Sequence, residues 1–173
     1  MDNKIIKAKI EFVGGETINL DLYPDYAPIS VANFVELAKS GFYDGLCFHR
    51  VIDGFMIQGG GFVFDDERGL IPRESKNIKG EFRSNGVNNP IKHEKGVISM
   101  ARAQDKNSAS SQFFICVANT PHLDGEYAAF GKCSDENSIK TAVKLGKAKT
   151  GRWRQFSDLP FDPIVIKTVT VSE

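Results

Sequence analysis

Ile6, Ala8, Ile10 and Phe12 alternate with Lys7, Lys9 and Glu11, and after a Gly14-Gly15 turn Ile18, Leu20 and Leu22 alternate with Asn19 and Asp21. A two-residue period sends alternate side chains to opposite faces of a strand, so this stretch predicts an opening β-hairpin with one buried face. At the other end Pro163 precedes Ile164 to Val171, a run rich in Val, Ile and Thr that predicts a closing strand. Two segments have helical period instead. Ser30 stands as the N-cap of a helix whose stripe is Val31, Phe34, Val35 and Ala38, with Ile29 and Phe34 placed for a hydrophobic staple and Gly41 as the stop. Asp135 stands as the cap of a second helix, in which Ile139, Ala142 and Val143 share a face and Gly146 is the stop. Between the helices lie short β-type runs at Leu46 to Gln58, Gly96 to Ala101 and Gln112 to Val117, separated by loops such as Asn85-Gly86 and Asp105 to Ser111. Many short strands with two helices predict a mainly-β fold: an antiparallel barrel closed on itself, which leaves no sheet edge exposed.

Composition narrows the picture. A chain of 173 residues that is 41% hydrophobic and 25% charged suits one globular domain, taken here as residues 1–173. Lys+Arg and Asp+Glu both count 22, so net charge supplies no argument for nucleic acid or an anionic membrane. No apolar run approaches the length of a membrane span, and Met1 to Ile10 alternates Lys with apolar residues where a secretory signal would be continuously apolar. Cys47, Cys116 and Cys133 are spaced for neither a disulfide framework nor a zinc ribbon, so they are expected to be reduced and the compartment cytoplasmic.

Several motifs fail a closer look. Gly59-Gly60-Gly61 is followed by neither Lys-Ser/Thr nor a helix, so it marks a sharp turn or a close backbone approach and not a phosphate cradle. His49, His93 and His122 form no i,i+4 pair and lie near no cysteine, so no metal site is expected. No serine occupies a Gly-x-Ser-x-Gly elbow. Lys140 to Arg154 contains six basic residues, no acid, and Trp153, the best cue for nucleic acid; a solvated helix face explains it as well, and nucleic-acid binding is not expected.

What remains is a surface pattern. If Phe48 to Ile52 is one unbroken strand, Arg50 shares a face with Phe48 and Ile52, odd company for a cation that must be either clamped or displayed. By the same period Met56 points with Gln58, and Gln112 with Phe114. Such pairs build an apolar pocket rimmed by a few directional hydrogen-bonding groups.

Phe48-His49-Arg50-Val51-Ile52, Gly54-Phe55-Met56-Ile57-Gln58-Gly59-Gly60, Ser99-Met100-Ala101, Ser111-Gln112-Phe113-Phe114-Ile115, Leu123-Asp124-Gly125 and Phe130-Gly131 follow one another along the chain. This ordered set resembles the signature of the cyclophilin peptidyl-prolyl isomerases and spans nearly the whole sequence. The resemblance implies an eight-stranded antiparallel barrel, closed and capped by two α-helices. It implies an activity that rotates Xaa-Pro peptide bonds and assists folding, with no cofactor and no metal. Arg50 resembles the family's catalytic arginine. Phe55, Met56, Phe114 and Leu123 resemble its proline pocket, Gln58 the side chain that holds the arginine, and Gln112, Ala101 and Arg102 the groups that position the flanking peptide. His122 and Tyr127 resemble the rim. Expected partners are proline-containing peptides and unfolded or flexible protein segments, and the expected state is a monomer.

The chain departs from the common eukaryotic pattern at three of these places, and differs at Gly61 besides. His122 replaces a frequent tryptophan, so cyclosporin binding is expected to be weakened by loss of an indole donor and apolar area. Tyr127 stands where histidine is common and Arg102 where asparagine is, substitutions that look like those of bacterial-type members. Gly61 stands where aspartate is frequent and is expected to alter loop stiffness more than chemistry. Amide rotation has a barrier of about 18–20 kcal/mol because the nitrogen lone pair is delocalised into the carbonyl. Accelerating it from about 0.01 to about 1,000 per second asks for roughly 7 kcal/mol of preferential binding to the twisted amide.

Overall fold

The computed structural model describes residues 4–172. The opening hairpin is present as β1 (Ile6–Phe12) and β2 (Thr17–Leu22), with Ile6 opposite Leu22, Ala8 opposite Leu20 and Ile10 opposite Ile18, all buried, while Lys7 and Lys9 face out. The chain continues through α1 (Pro28–Lys39), β3 (Leu46–Cys47), β4 (Arg50–Ile52), β5 (Met56–Gly59), β6 (Phe62–Asp65), β7 (Gly69–Pro72), β8 (Val97–Met100), β9 (Phe113–Cys116), β10 (Ala129–Cys133), α2 (Glu136–Gly146), β11 (Thr150–Trp153), β12 (Phe156–Pro160) and β13 (Ile166–Ser172). Eight strands form one antiparallel sheet in the order β13-β1-β2-β10-β8-β9-β5-β4, so the first and last strands of the sequence lie side by side. β6 and β7 form a hairpin to which β3 adds, and β11 and β12 form a second hairpin. The sequence pattern marked neither hairpin, because their residues are mostly half-buried on both faces and alternate weakly.

Closure differs from the expected barrel. The ladder ends on β4 and β13, which do not pair with each other, so the sheet is curled but open. The gap is crossed by an isolated antiparallel bridge between Cys47 and Val165, with the Phe48 N–H donating to the Ile164 carbonyl at 2.8 Å. The cause is a break in the expected run Leu46 to Gln58. β3 leaves to pair with β6, and strand geometry resumes only at Arg50. Gly59 makes the crowding tolerable: a Cβ there would lie 2.8 Å from the Cys47 carbonyl oxygen and 2.9 Å from the Phe48 Cα. Gly60 turns the chain at φ 90°, a region that L side chains rarely adopt.

Inside the curl, Phe34 of α1 meets Phe113 and Phe130 at ring distances of 5.7 and 5.4 Å, and Phe48 meets Phe113 at 5.7 Å. Rings at these separations and tilts bury large apolar area in favourable edge contacts. α1 begins one turn earlier than expected. Its cap is Ala27, Pro28 supplies the first helical position, and Ser30 lies within the first turn. The capping oxygen comes from far away: the buried Glu81 carboxylate accepts from the N–H groups of Ile29 and Ser30 and from the Ser30 hydroxyl, at 3.1, 2.6 and 2.8 Å. An acid there also complements the helix dipole. Ile29 stays 41% exposed, so no staple anchors this end. α2 starts as expected, with the Asp135 carboxylate accepting from the Ser138 N–H at 2.7 Å, a bond that holds the Asp135 pKa below its ordinary value. Ala142 and Leu145 turn its apolar side inward.

Candidate active site

The site forms on the outer face of the sheet, opposite the aromatic core. Strand register builds it in rows. Arg50 of β4 is opposite Gln58 of β5, Gln58 is opposite Phe114 of β9, and Phe114 is opposite Ser99 of β8. One step along, Ile52, Met56 and Cys116 form the neighbouring row. Since cross-strand partners share a face, the two rows make one continuous floor. Met56, Phe114, Cys116 and Leu123 are its buried apolar cluster, with Ile52, Phe55, Ala101 and Tyr127 packed around them. The expected shared face of Phe48, Arg50 and Ile52 is corrected here. Phe48 belongs to the inner core, while Arg50 is exposed on the outer side, because the chain between β3 and β4 is not strand and the alternation restarts at Arg50.

Above the floor opens a pocket of about 70 Å³ lined by Arg50, Phe55, Met56, Gln58, Ala101, Arg102, Phe114, Leu123 and Tyr127. That is room for a few waters or one small ring. Gln112 and His122, the two other expected site residues, stand at its margin. The Arg50 Nη1 donates to Gln58 Oε1 at 3.4 Å, and Gln58 Nε2 donates to Gln112 Oε1 at 3.0 Å. His122 stacks on Phe55 with ring centroids 5.8 Å apart, and leaves the pocket at the 3₁₀ turn Pro121–Leu123 that also delivers Leu123. The Ala101 N–H donates to the Gln112 carbonyl at 3.0 Å, tying the two segments that flank the opening.

Arg102 acts as a clamp. Its guanidinium lies 4.9 Å from the Phe82 ring centre and 4.7 Å from that of Tyr127, and donates to the carbonyls of Glu126, Ala103 and Gln104. A planar cation with a fixed fork of donors can grip aromatic faces and carbonyls together. Tyr127 in turn meets Phe114 edge-on at 5.8 Å.

Two further residues shape the site: His93, to which sequence reading assigns no site role, and Gly61, expected to affect loop stiffness and found instead to make room for Gln112. His93 stacks on Phe114 at 5.9 Å and 17°, and its ring is fixed at both nitrogens, Nδ1 to Asp124 Oδ1 at 3.0 Å and Nε2 to Ser99 Oγ at 2.9 Å. Burial lowers its pKa against the pull of Asp124, so Nδ1–H donates to the carboxylate and Nε2 accepts from the serine. The order of groups resembles a hydrolytic triad, yet Ser99 is fully buried and no substrate carbonyl reaches it. The set holds Phe114 in place. Gly61 is the other: a Cβ there would lie 2.5 Å from Gln112 Cγ, so its bareness is what lets Gln112 lie toward Gln58.

The basic stretch Lys140 to Arg154 is divided among α2, a loop and β11. Trp153 is stacked on Phe156 at 6.0 Å and covered by the Arg154 guanidinium at 4.5 Å, which leaves it a structural ring more than a platform for bases. Among the described residues no helix is long and apolar enough to cross a membrane, and no group of His, Cys, Asp and Glu is arranged for a metal.

The outer face thus offers a ligand a ring-sized apolar slot with the exposed Arg50 guanidinium at its lip. The family model for cyclophilin type peptidyl-prolyl cis-trans isomerase/CLD matches residues 7–171. Peptidyl-prolyl cis-trans isomerase B of Escherichia coli (strain K12) is 39% identical over 164 residues, covering 90% of this chain and 94% of that protein. Peptidyl-prolyl cis-trans isomerase A of Dickeya dadantii (strain 3937) is 40% identical over 159 residues, 89% of this chain and 78% of that one. A solved cyclophilin type isomerase of Cryptosporidium parvum superposes with a TM-score of 0.77 at 29% identity, covering 98% of this chain and 99% of that chain. It has also been solved in the presence of the dipeptide Ala-Pro, superposing here at 0.75. The chain belongs to the cyclophilin type peptidyl-prolyl cis-trans isomerases, enzymes that catalyse rotation about Xaa-Pro bonds.

Proposed function

We propose that Arg50 is the catalytic residue of this isomerase and that Phe55, Met56, Phe114 and Leu123 seat the proline ring of an unfolded or flexible protein segment. The observation that carries the reading is the row from Arg50 through Gln58 to Phe114, which sets a fixed cation at the lip of an apolar slot. Twisting the amide out of plane returns the lone pair to the prolyl nitrogen. A guanidinium donor at that nitrogen binds the twisted form better than either planar isomer, which is the differential binding that catalysis needs. The slot supports the same end by withholding water from the planar, charge-separated amide. Gln58 steadies Arg50 and contacts substrate. Gln112, the Ala101 backbone and Arg102 guide the flanking chain, and Tyr127 and His122 form the rim.

His122 supports the further reading that cyclosporin binds weakly, since its ring offers less apolar area than an indole. A cytoplasmic setting is supported by three free, buried cysteines whose thiols burial pushes up, Cys47 and Cys133 to about 12 and Cys116 to about 11. A monomer is supported by how few large apolar side chains are exposed, among the described residues Ile5, Val13, Ile29 and Phe161. We read residues 1–173 as one isomerase domain, of which 1–3 and 173 lie outside the described residues.

Exchange of a proline peptide, followed by NMR with and without cyclosporin, tests the reading. Arg50→Ala should keep its stability, because Arg50 is exposed and in no ion pair among the described residues, yet lose turnover by a factor of about 10² to 10³. Saturable binding with no acceleration in the parent protein refutes the enzyme; undiminished turnover in the variant refutes the role of Arg50.

A further inference from the structure

α2 carries a half-buried aliphatic strip, Ile139 and Val143, bordered by Lys140, Lys144 and Lys147 at helical spacings of four and three. Lys95, on the turn leading into β8, and Glu136 complete the lining of a hollow of about 650 Å³ beside this strip. Both walls are braced. Gly96 turns at φ 94°, and a Cβ there would lie 3.0 Å from Ile139 Cγ1, so bare backbone lets the turn pass close over the helix. The Lys95 N–H donates to Asn119 Oδ1 at 2.9 Å and the Gly96 N–H to the Cys116 carbonyl at 2.8 Å, while the Gly96 carbonyl accepts from the Cys133 N–H at 2.8 Å.

Four lysines against one glutamate leave the lining with an excess of positive charge. All four lysines are exposed, and among the described residues neither they nor Glu136 take part in an ion pair. Like charges one helical turn apart, as at Lys140 and Lys144, oppose the helix that carries them. The C-terminal end of α2 compensates Lys144 and Lys147, but Lys140 lies mid-helix and Lys95 outside it, so helix stability accounts for only part of the cluster.

We propose that this hollow docks an acidic segment of a protein partner, whose carboxylates meet the lysines and which lays an aliphatic side chain on Ile139 and Val143. The charge of the lining selects the acid, and the strip between the lysines selects the apolar side chain. The same lining disfavours nucleic acid, since it holds no aromatic ring on which a base stacks and no arginine fork. Trp153, Arg152 and Arg154, from the same basic tract, lie outside it. The hollow shares no lining residue with the proline slot, so both can be filled at once, and docking is independent of how the slot works. A partner that also carries an exposed Xaa-Pro bond would present it to the slot at raised effective concentration.

The test is an NMR titration of the full chain at low salt, with a short peptide of glutamates around a central leucine as the probe. Amide signals of Lys95, Ile139, Lys140 and Lys144 should move, while those of Arg50 and Phe55 stay in place. Lys140→Glu combined with Lys144→Glu should weaken binding about tenfold, since an exposed ion pair is worth up to about fivefold and each reversal adds repulsion. Lys95→Glu, off the helix, should weaken it about threefold, so the outcome does not hang on the integrity of α2. Alanine in place of the peptide's leucine should weaken binding about fivefold, and added salt should weaken it further. Unmoved α2 signals, an affinity unchanged in both variants, or equal binding of the leucine and alanine peptides overturns the proposal. A short oligouridylate that moves the same signals at lower concentration than the peptide also overturns it, in favour of a nucleic-acid surface.

Discussion

Gly61→Ala is expected to damage the site through a side chain it does not belong to. The added methyl would fall 2.5 Å from Gln112 Cγ, 2.7 Å from Nε2 and 2.8 Å from Cδ, overlaps that Gln112 relieves only by swinging away. The φ of Gly61 lies outside the left-handed region, so the backbone itself accepts alanine and the penalty lies in contact alone. Swinging Gln112 breaks its 3.0 Å bond to Gln58 and frees the amide whose oxygen accepts from Arg50. One such bond is worth about 1 kcal/mol, and crowding by one methyl costs at least about 1 kcal/mol where a half-buried side chain cannot wholly escape. Urea denaturation should therefore show a loss of about 1–2 kcal/mol. Peptide exchange should show kcat/KM down about fivefold, far less than for Arg50→Ala. The decisive measurement is the pair. In a Gln112→Ala background the space is open, and Gly61→Ala should add almost nothing to either loss. Equal penalties with and without Gln112 would refute the account.

Two further expectations concern stability. Glu81→Ala strands three donors at the start of α1 and should cost about 3–5 kcal/mol in urea denaturation, while Glu81→Gln keeps one acceptor and should cost roughly half; a loss within about 1 kcal/mol for the alanine variant contradicts the remote cap. His49 has a folded pKa of about 4, below its unfolded value near 6.5, so its contribution is fully present above pH 6.5 and is lost as pH falls toward 4. That loss amounts to about 2 kcal/mol between pH 7 and pH 5, and His49→Phe should flatten this part of the stability curve, with equal slopes in the two proteins counting against a neutral buried ring. His93 is shifted in the same direction by burial, so the variant retains some acid sensitivity.

Where a residue's partner was close in sequence, the sequence was readable. The β1–β2 hairpin, the Asp135 cap and the pairing of Met56 with Gln58 all follow from local period or from a side chain reaching three residues ahead. Alternation alone reaches part of the floor, Met56 with Gln58 and Phe114 beyond them, while Phe55 and Leu123 follow from the family resemblance and the cross-strand rows from the structure. Sequence and structure part where a distant partner decides the outcome. Ser30 looked like a cap because nothing nearby announces that Glu81 occupies that role from another segment. Local period alone puts Phe48 and Arg50 on one face, since the departure of β3 toward β6 is a tertiary event. His93 and Gly61 carry no local signal; their meaning lies in Phe114, Ser99, Asp124 and Gln112, all remote along the chain. The β11–β12 hairpin, whose residues read only as a basic tract, brings Asp158 beside Arg50.

The pairing of β1 with β13 joins segments far apart in the chain. β1 has β2 beside it from the start, but its other edge stays unsatisfied until the distant β13 is in place. A topology dominated by such distant contacts folds slowly for its size. Until β13 docks, β1 therefore offers an open edge to any strand that meets it, and closing that edge early is the step on which the rest of the sheet depends.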